Sequence, residues 1–76
     1  MTIIELEDRL NEMEVPNELF SIMGGGLPNE KLCIVKEDTW QVYYSERGYK
    51  SGLKKFQTES EACEYFVKKM QRYAQV

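Results

Sequence analysis

The sequence predicts an α+β domain with an N-terminal helix, a three- to four-stranded antiparallel sheet and a C-terminal helix. Both ends of the 76-residue chain have the apolar spacing of amphipathic helices. Between them, short runs of alternating apolar and polar residues are separated by turn sequences, a pattern typical of antiparallel strands. A chain of this length forms one domain, residues 1–76, and we expect both helices to cover one face of the sheet and to leave the other face open.

The first helix is predicted over residues 2–14. Thr2 can cap its N-terminus, and Glu5, three residues later, completes a capping box in which each side chain bonds the other residue's backbone N–H. The apolar residues follow the spacing of one helix face: Ile3, Leu6, Leu10 and Met13. Pro16 disfavours helical backbone geometry at the residue before it, so the helix should end by about Glu14.

A short strand or packed extended segment is predicted over Leu19–Met23, and the glycines at 24–26 end it. Such a glycine run can form a phosphate-binding loop when a Gly-Lys-Ser/Thr motif and a helix follow it. Residues 27–30 supply neither, so we expect a tight reversal or a close approach of backbone segments instead.

A β-hairpin is predicted next, with strands over Lys31–Lys36 and Trp40–Glu46 and a three-residue turn between them. That turn length places Ile34 opposite Val42 on one face, which belongs to the core. The other face, which we expect to stay open, carries Cys33, Val35, Gln41, Tyr43 and Ser45. A two-residue turn would shift the pairing by one residue and exchange the faces of the partner strand.

A further strand and the second helix are predicted downstream. Residues Arg47–Gly52 are polar and contain two glycines, which predicts a loop, and Leu53–Phe56 then forms the strand. Thr58 caps the second helix, and Glu61 completes a second capping box. The apolar stripe of this helix consists of Ala62, Cys63, Phe66, Met70 and Tyr73.

Residues suited to metal binding or catalysis are few. The chain has no histidine, and its two cysteines, Cys33 and Cys63, lie thirty residues apart, so we expect free, half-buried thiols and neither metal nor cofactor. Glu46 is the best candidate for an acid, but the neighbouring Arg47 favours the charged carboxylate and an ordinary ion pair at the strand end. Ser45 has no visible base to activate it. We therefore expect no catalytic residues and a protein that is not an enzyme.

The sequence also lacks the signals of membrane insertion and secretion. No apolar run approaches the ~20 residues that cross a bilayer. The N-terminus has no basic segment before an apolar one, as a secretory signal would. We expect a cytoplasmic protein that does not bind membranes.

Charge is distributed unevenly along the chain. Residues 1–30 carry seven acidic residues and one basic residue, whereas residues 31–76 carry nine basic and six acidic residues. On the first helix, Glu5, Asp8 and Glu12 fall on the side opposite the apolar face. Such an acidic stripe attracts basic partners and repels nucleic acid, although an ordinary solvated helix face has the same composition.

Aromatic residues are concentrated in the predicted hairpin and in the corner that follows it. Trp40, Val42 and Tyr44 suit the core face of the strand. Tyrosine and arginine are also enriched at the centres of protein interfaces. We therefore select candidate partner contacts and steering charges: Tyr43, Glu46, Arg47 and Tyr49 as contacts, and Glu5, Asp8 and Glu12 as charges.

Three segments carry a family resemblance: Gly-Gly-Gly-Leu-Pro-Asn-Glu at 24–30, Trp-x-Val-Tyr-Tyr-Ser-Glu-Arg-Gly at 40–48, and Phe56 followed by Glu-Ser-Glu-Ala-Cys-x-Tyr-Phe at 59–66. From about Val15 to Met70 the chain resembles small bacterial immunity proteins of polymorphic-toxin and contact-dependent growth inhibition systems. The Tyr-Tyr-Ser-Glu-Arg-Gly segment is the most specific part of this resemblance, because the helix pattern is common to many proteins.

The resemblance implies a cytoplasmic inhibitor that binds one cognate toxin protein and blocks its active site or the path of its substrate. Many toxins of this kind are nucleases and therefore basic, which would explain the acidic first helix. The resemblance implies no contact residues, so the candidates above rest on physical reasoning.

Two other functions fit the predicted order of elements. Double-stranded-RNA-binding domains share the helix–strands–helix order, and aromatic and basic residues alternate at Arg47, Tyr49, Lys50, Lys54 and Lys55. The acidic start of the second helix and an isoelectric point of about 4.9 oppose this function, so we expect no nucleic acid. The other function is a regulatory module that dimerises through an exposed strand edge; we expect a monomer or a weak homodimer.

Overall fold

A computed structural model describes residues 1–24 and 30–75 of the protein. Its elements follow the order α1 (Ile3–Glu12), β1 (Phe20–Ile22), β2 (Lys31–Lys36), β3 (Trp40–Glu46), β4 (Tyr49–Phe56) and α2 (Glu59–Met70). Short 3₁₀ turns occupy Asn17–Leu19 and Gln71–Tyr73. The predicted α+β class and the order of helix, strands and helix are confirmed. The loop considered for phosphate binding lies mostly at 25–29, outside the described residues.

The sheet has four strands in the order β1-β2-β3-β4, and it is mixed. The prediction of a purely antiparallel sheet is wrong, because β1 runs parallel to β2, with Phe20 beside Leu32 and Ile22 beside Ile34. An alternating pattern shows which residues share a face, but it is the same whichever way the strand runs. Strand direction is decided by how the chain returns to the sheet, which the pattern does not contain.

Helix α1 begins and ends where its sequence signals place it. Glu5 N donates to Thr2 Oγ1 (3.2 Å) and Thr2 N donates to Glu5 Oε1 (2.8 Å), so the predicted capping box is confirmed. The helix ends at Glu12, and Glu14 then adopts a left-handed backbone conformation with φ 57°. Val15 N donates to Leu10 O (3.1 Å), which turns the Val15 side chain back into the core.

The β2–β3 hairpin has the predicted strands and register. Ile34 pairs with Val42, and Lys36 pairs with Trp40. Glu37 N donates to Thr39 O (2.9 Å) within the turn. The three-residue turn is therefore confirmed, and the two-residue alternative is excluded.

The β3–β4 connection differs from the predicted Arg47–Gly52 loop. The loop prediction is wrong, because Glu46 pairs with Tyr49 and leaves a turn of two residues. Arg47 and Gly48 have φ 50° and 84°, and positive φ at both central positions is the signature of a type I′ turn. Strand β4 thus starts four residues earlier than predicted. The usual sequence signal of this turn is Asn-Gly or Asp-Gly, and Arg-Gly does not carry it.

We call the sheet face that carries Ile34 and Val42 the core face, and both residues belong to a buried cluster that also contains residues of the two helices. The helix residues of this cluster are Leu6, Leu10, Ala62, Cys63, Phe66, Val67 and Met70. Phe20 meets Phe66 edge to face, with ring centroids 6.5 Å apart. Tyr73, predicted on the apolar stripe of α2, lies beyond the helix and is partly exposed.

The ends of the helices are joined by hydrogen bonds that backbone N–H groups donate. Ile3 N donates to Glu59 Oε2 (2.8 Å), which joins the start of α1 to the start of α2. At the other end, Gln75 N donates to Met13 O (2.9 Å). Helix α2 itself begins at the predicted cap, where Thr58 Oγ1 accepts from Glu61 N (3.2 Å). The second capping box is not completed as predicted, because the Glu61 carboxylate accepts from the Thr58 hydroxyl (3.1 Å) instead of from its backbone N–H. In the described part of the chain, neither helix has the length and apolar character needed to cross a bilayer.

The opposite face of the sheet is buried at its centre, so the prediction of an open face is wrong. Tyr43 is 2% exposed, Cys33 is 2% exposed and Ser45 is fully buried. The Lys50 Nζ lies 4.7 Å from the centroid of the Tyr43 ring and covers part of it. The polar residues at alternate positions of β3 suggested solvent exposure. Alternation, however, shows only which face a side chain lies on and does not show whether that face is covered.

Candidate protein-binding surface

Three of the four predicted contact residues lie together at the β3–β4 turn. We call Glu46, Arg47, Gly48 and Tyr49 the hairpin tip. Glu46 pairs with Tyr49 across the turn, Arg47 is exposed, and the Tyr49 side chain is 58% exposed. The fourth predicted contact, Tyr43, is buried in the sheet and has no surface to offer a partner in this conformation.

The backbone of the hairpin tip depends on Gly48. Its φ of 84° is accessible to glycine at no steric cost, whereas a Cβ at this position would be strained even though nothing lies within 4 Å of it. The type I′ turn matches the twist of the paired strands, so the tip is an ordered continuation of the hairpin. Within the described residues, the expected ion pair between Glu46 and Arg47 is not formed. Both charges are therefore available to a partner.

The predicted steering charges lie on α1, which packs against α2. We call Glu5, Asp8 and Glu12 the acidic face, and all three side chains are exposed. Glu5 differs from the other two, because its carboxylate accepts the Thr2 N–H (2.8 Å) and this bond holds its pKa below the usual value. Asp8 and Glu12 are free of such a bond in the described part of the chain, and Ile4 beside them is 75% exposed.

A cleft that sequence reasoning missed lies between the sheet and the C-terminal half of α2. This cleft has a volume of about 220 Å³. Its lining consists of Leu32, Val42, Tyr43, Tyr44, Ser51, Gly52, Tyr65, Lys69, Arg72 and Tyr73. We call it the tyrosine cleft, after Tyr44, Tyr65 and Tyr73.

The tyrosines of the cleft are more exposed than their predicted core positions suggest. Tyr44 is 38% exposed and Tyr73 is 41% exposed. The β3–β4 register shift between Val42 and Tyr44 places Ser51 opposite Tyr44, and a small side chain there leaves the ring partly uncovered. A sequence signal did exist: Tyr65, Lys69 and Tyr73 are four residues apart and would share one helix face.

Cations lie beside the rings of the cleft. Lys69 Nζ is 5.5 Å from the Tyr65 ring centroid, and Arg72 Cζ is 5.7 Å from the Tyr73 ring centroid. Partial burial, followed by the negative charges of Glu30 and Glu46, raises the pKa of Tyr44, so its hydroxyl stays protonated at neutral pH. The cleft therefore combines hydroxyl donors, aromatic faces and positive charge.

Both cysteines and Ser45 are buried away from solvent. Cys33 and Cys63 are free but fully buried rather than half-buried. Burial raises the pKa of Cys33 and raises that of Cys63 to about 11, so both remain thiols at neutral pH. Ser45 is buried, and its Oγ has no hydrogen-bond partner among the described residues. Within residues 1–24 and 30–75, no group of three or more potential ligands could hold a metal ion.

Comparison of the chain with protein-family models, with curated proteins and with solved structures found no match. The resemblance to immunity proteins therefore stays a prediction.

Proposed function

We propose that this protein is an immunity protein that binds one cognate bacterial toxin in the cytoplasm and neutralises it. It does so by covering the toxin's active site or the path of its substrate. The observation that carries this proposal is the hairpin tip, where Arg47 and Tyr49 are exposed on an ordered two-residue turn. Arginine and tyrosine are among the residues that contribute most to binding free energy at protein interfaces.

The geometry of the tip favours tight binding. A side chain presented by a type I′ turn loses less conformational entropy on binding than the same side chain on a long loop. Arg47 can pair with carboxylates or backbone carbonyls of the toxin, and the Tyr49 ring supplies apolar contact area with a hydroxyl at its end. The tip is the turn that closes the β3–β4 hairpin, where Glu46 pairs with Tyr49.

The acidic face contributes to the rate at which the complex forms. A basic toxin would be attracted by Asp8 and Glu12, whereas the Glu5 charge is already engaged by the helix cap. We therefore assign steering to Asp8 and Glu12 rather than to all three predicted residues. In this assignment the acidic face changes how fast the complex forms, and the tip changes how long it lasts.

The tip is tested by titrating the purified chain into the toxin domain encoded by the adjacent gene, with calorimetry as the readout. We expect a one-to-one complex and a loss of about 100-fold in affinity for the Arg47→Ala/Tyr49→Ala variant. Lys55→Ala/Gln57→Ala, which changes exposed residues at the far end of β4, is the matched control and should bind like the original chain. A toxin domain that does not bind the chain at all contradicts the proposal.

Steering is tested separately by stopped-flow measurement of the association rate at several salt concentrations. The Asp8→Lys/Glu12→Lys variant should associate about tenfold more slowly at low salt and lose most of its salt dependence. Glu37→Lys/Asp38→Lys makes the same charge change on the β2–β3 turn and serves as control. Equal slowing by both variants would mean that net charge alone matters and that the acidic face has no special role.

An RNA-binding function is the second candidate, because exposed lysines lie along β4 at Lys50, Lys54 and Lys55. The first turn of α2 opposes it, since Glu59 and Glu61 would repel phosphate. Retention of duplex RNA at low salt, lost in Lys54→Glu/Lys55→Glu, would support this function over toxin binding. The same lysines discourage edge-to-edge pairing of two β4 strands, so we expect sedimentation to show a monomer.

A further inference from the structure

We propose that the tyrosine cleft is an anchor site for an acidic segment of a protein partner. An apolar side chain of that segment enters between Tyr44 and Tyr65, and a neighbouring carboxylate pairs with Lys69 and Arg72. This surface is distinct from the hairpin tip and the acidic face, and it selects a negative charge, whereas the acidic face selects a positive one.

The shape of the cleft suits a single side chain. Its volume of about 220 Å³ is smaller than the roughly 300–1,000 Å³ of pockets that enclose a free small molecule. Leu32 and Val42 provide apolar lining, and tyrosine rings form the sides. Pockets of this kind at protein interfaces typically receive one aromatic or aliphatic anchor residue of the partner.

The exposure of the tyrosines indicates an incomplete contact surface. Tyr44 and Tyr73 keep more than a third of their side chains exposed, although their rings border the same cleft. An apolar side chain placed in the cleft would cover parts of both rings, and each square ångström of apolar surface removed from water contributes about 25 cal/mol. The tyrosine hydroxyls can still donate hydrogen bonds to the partner's backbone.

The charge around the cleft determines which kind of residue the partner carries next to its apolar anchor side chain. Among the described residues that line it, Lys69 and Arg72 are charged and none is acidic. Among residues 1–24 and 30–75 neither cation is in an ion pair, so no described carboxylate competes with a carboxylate of the partner. On the β3 side, the charges of Glu30 and Glu46 reach Tyr44. The carboxylate of the partner must therefore lie toward α2.

The same arrangement favours a protein over nucleic acid. A strand of RNA carries a phosphate at every nucleotide and needs an extended positive surface. The cleft offers two cations on one rim, and Glu59, Glu61 and Glu64 make the start of α2 negative. One carboxylate beside one apolar anchor satisfies this geometry, whereas a polyanion does not.

The test uses the ¹⁵N-labelled 76-residue chain and three blocked pentapeptides, followed by NMR. The acidic peptide is acetyl-Gly-Glu-Phe-Glu-Gly-amide, and its controls replace both glutamates by lysine or the phenylalanine by alanine. We expect saturable shifts at Tyr44, Ser51, Lys69 and Tyr73 with the acidic peptide, with a dissociation constant of about 1 mM. Both controls should bind at least about fivefold more weakly.

Variants separate the cleft from general attraction between charges. Lys69→Gln/Arg72→Gln should weaken the affinity for the acidic peptide about tenfold. The matched pair Lys54→Gln/Lys55→Gln, on exposed positions of β4, should leave that affinity unchanged. Tyr44→Phe keeps the ring and reports on the hydroxyl alone. Circular dichroism of each variant shows whether the fold is intact.

Three outcomes overturn the inference. Equal shifts from all three peptides would mean non-specific binding, and shifts confined to residues outside the cleft would place the site elsewhere. A single-stranded RNA hexamer that shifts the cleft residues at lower concentration than the acidic peptide would assign the cleft to nucleic acid. No toxin takes part in this experiment, so its result is independent of the function proposed above.

Discussion

The two faces of the sheet are both buried at their centres, but by different kinds of contact. On the core face, Ile34 and Val42 are completely enclosed by apolar side chains of the helices and the sheet. On the opposite face, Tyr43 and Ser45 are equally buried, yet Ser45 Oγ lies without a hydrogen-bond partner among the described residues. Equal burial therefore does not mean equal stabilisation. Apolar contact drives folding on one face, whereas polar groups on the other reduce the net gain.

The largest change in the free energy of unfolding should come from a substitution on the core face. Ile34→Ala removes a fully buried side chain from the apolar cluster and should lower the free energy of unfolding by about 3 kcal/mol. Urea unfolding followed by circular dichroism measures this change. Ile4→Ala is the matched control, since Ile4 is exposed, and it should change the free energy of unfolding little. A small loss for Ile34→Ala would show that the core face is loosely packed.

The next effect concerns Tyr43, which we assign to the fold rather than to a partner. Tyr43→Phe keeps the buried ring and removes the hydroxyl, so it should lower the free energy of unfolding by about 1 kcal/mol. The affinity for the toxin should be unchanged, in contrast to Tyr49→Phe, whose exposed hydroxyl can reach a partner. Reduced toxin affinity for Tyr43→Phe at unchanged stability would indicate that Tyr43 contacts the toxin after all.

A smaller effect of opposite sign is expected at Ser45. Because its buried Oγ has no partner among the described residues, Ser45→Ala removes a group that was desolvated without compensation. We expect the free energy of unfolding to rise by about 0.5 kcal/mol. Ser51→Ala, at a less buried position of β4, provides the comparison. Destabilisation by Ser45→Ala would mean that the hydroxyl is satisfied in solution.

The last prediction concerns the titration of Cys63 in the core cluster, which changes the stability only in alkaline solution. Burial raises its folded pKa to about 11 from an ordinary value of 9.0, so folding favours the protonated thiol. This contribution to stability is fully present below pH 9 and is lost as the pH rises through about 11. Unfolding at a series of pH values should therefore show a steeper alkaline loss for the original chain than for Cys63→Ala. Equal slopes would mean that Cys63 titrates normally in the folded protein.

Local signals predicted the parts of the fold that neighbouring residues decide. The caps at Thr2 and Thr58 were visible because each bonds a residue three positions away. The register of β2 and β3 followed from a three-residue turn and alternating apolar residues, and Ile34 does pair with Val42. In each case the residues that interact are close in sequence or joined by one short turn.

The part of the candidate site whose residues are close in sequence was also predicted. Glu46, Arg47 and Tyr49 are neighbours in sequence, and they lie together at the hairpin tip. Tyr43 was misplaced because alternation tells which face a side chain is on but not whether that face is covered. The tyrosine cleft was missed because it unites Tyr44 of β3 with residues of α2 and the turn after it, more than twenty positions away in sequence.

The amino-acid order alone was sufficient for the α+β class, both helix starts, the β2–β3 register and the acidic stripe of α1. The folded chain decided the parallel direction of β1, the two-residue turn at Arg47 and Gly48, the burial of the second sheet face and the assembly of the cleft. The physical reason is the range of the interactions. Caps, turns and periodicity involve residues a few positions apart, whereas strand direction and burial depend on contacts between distant segments whose free energies no single segment contains.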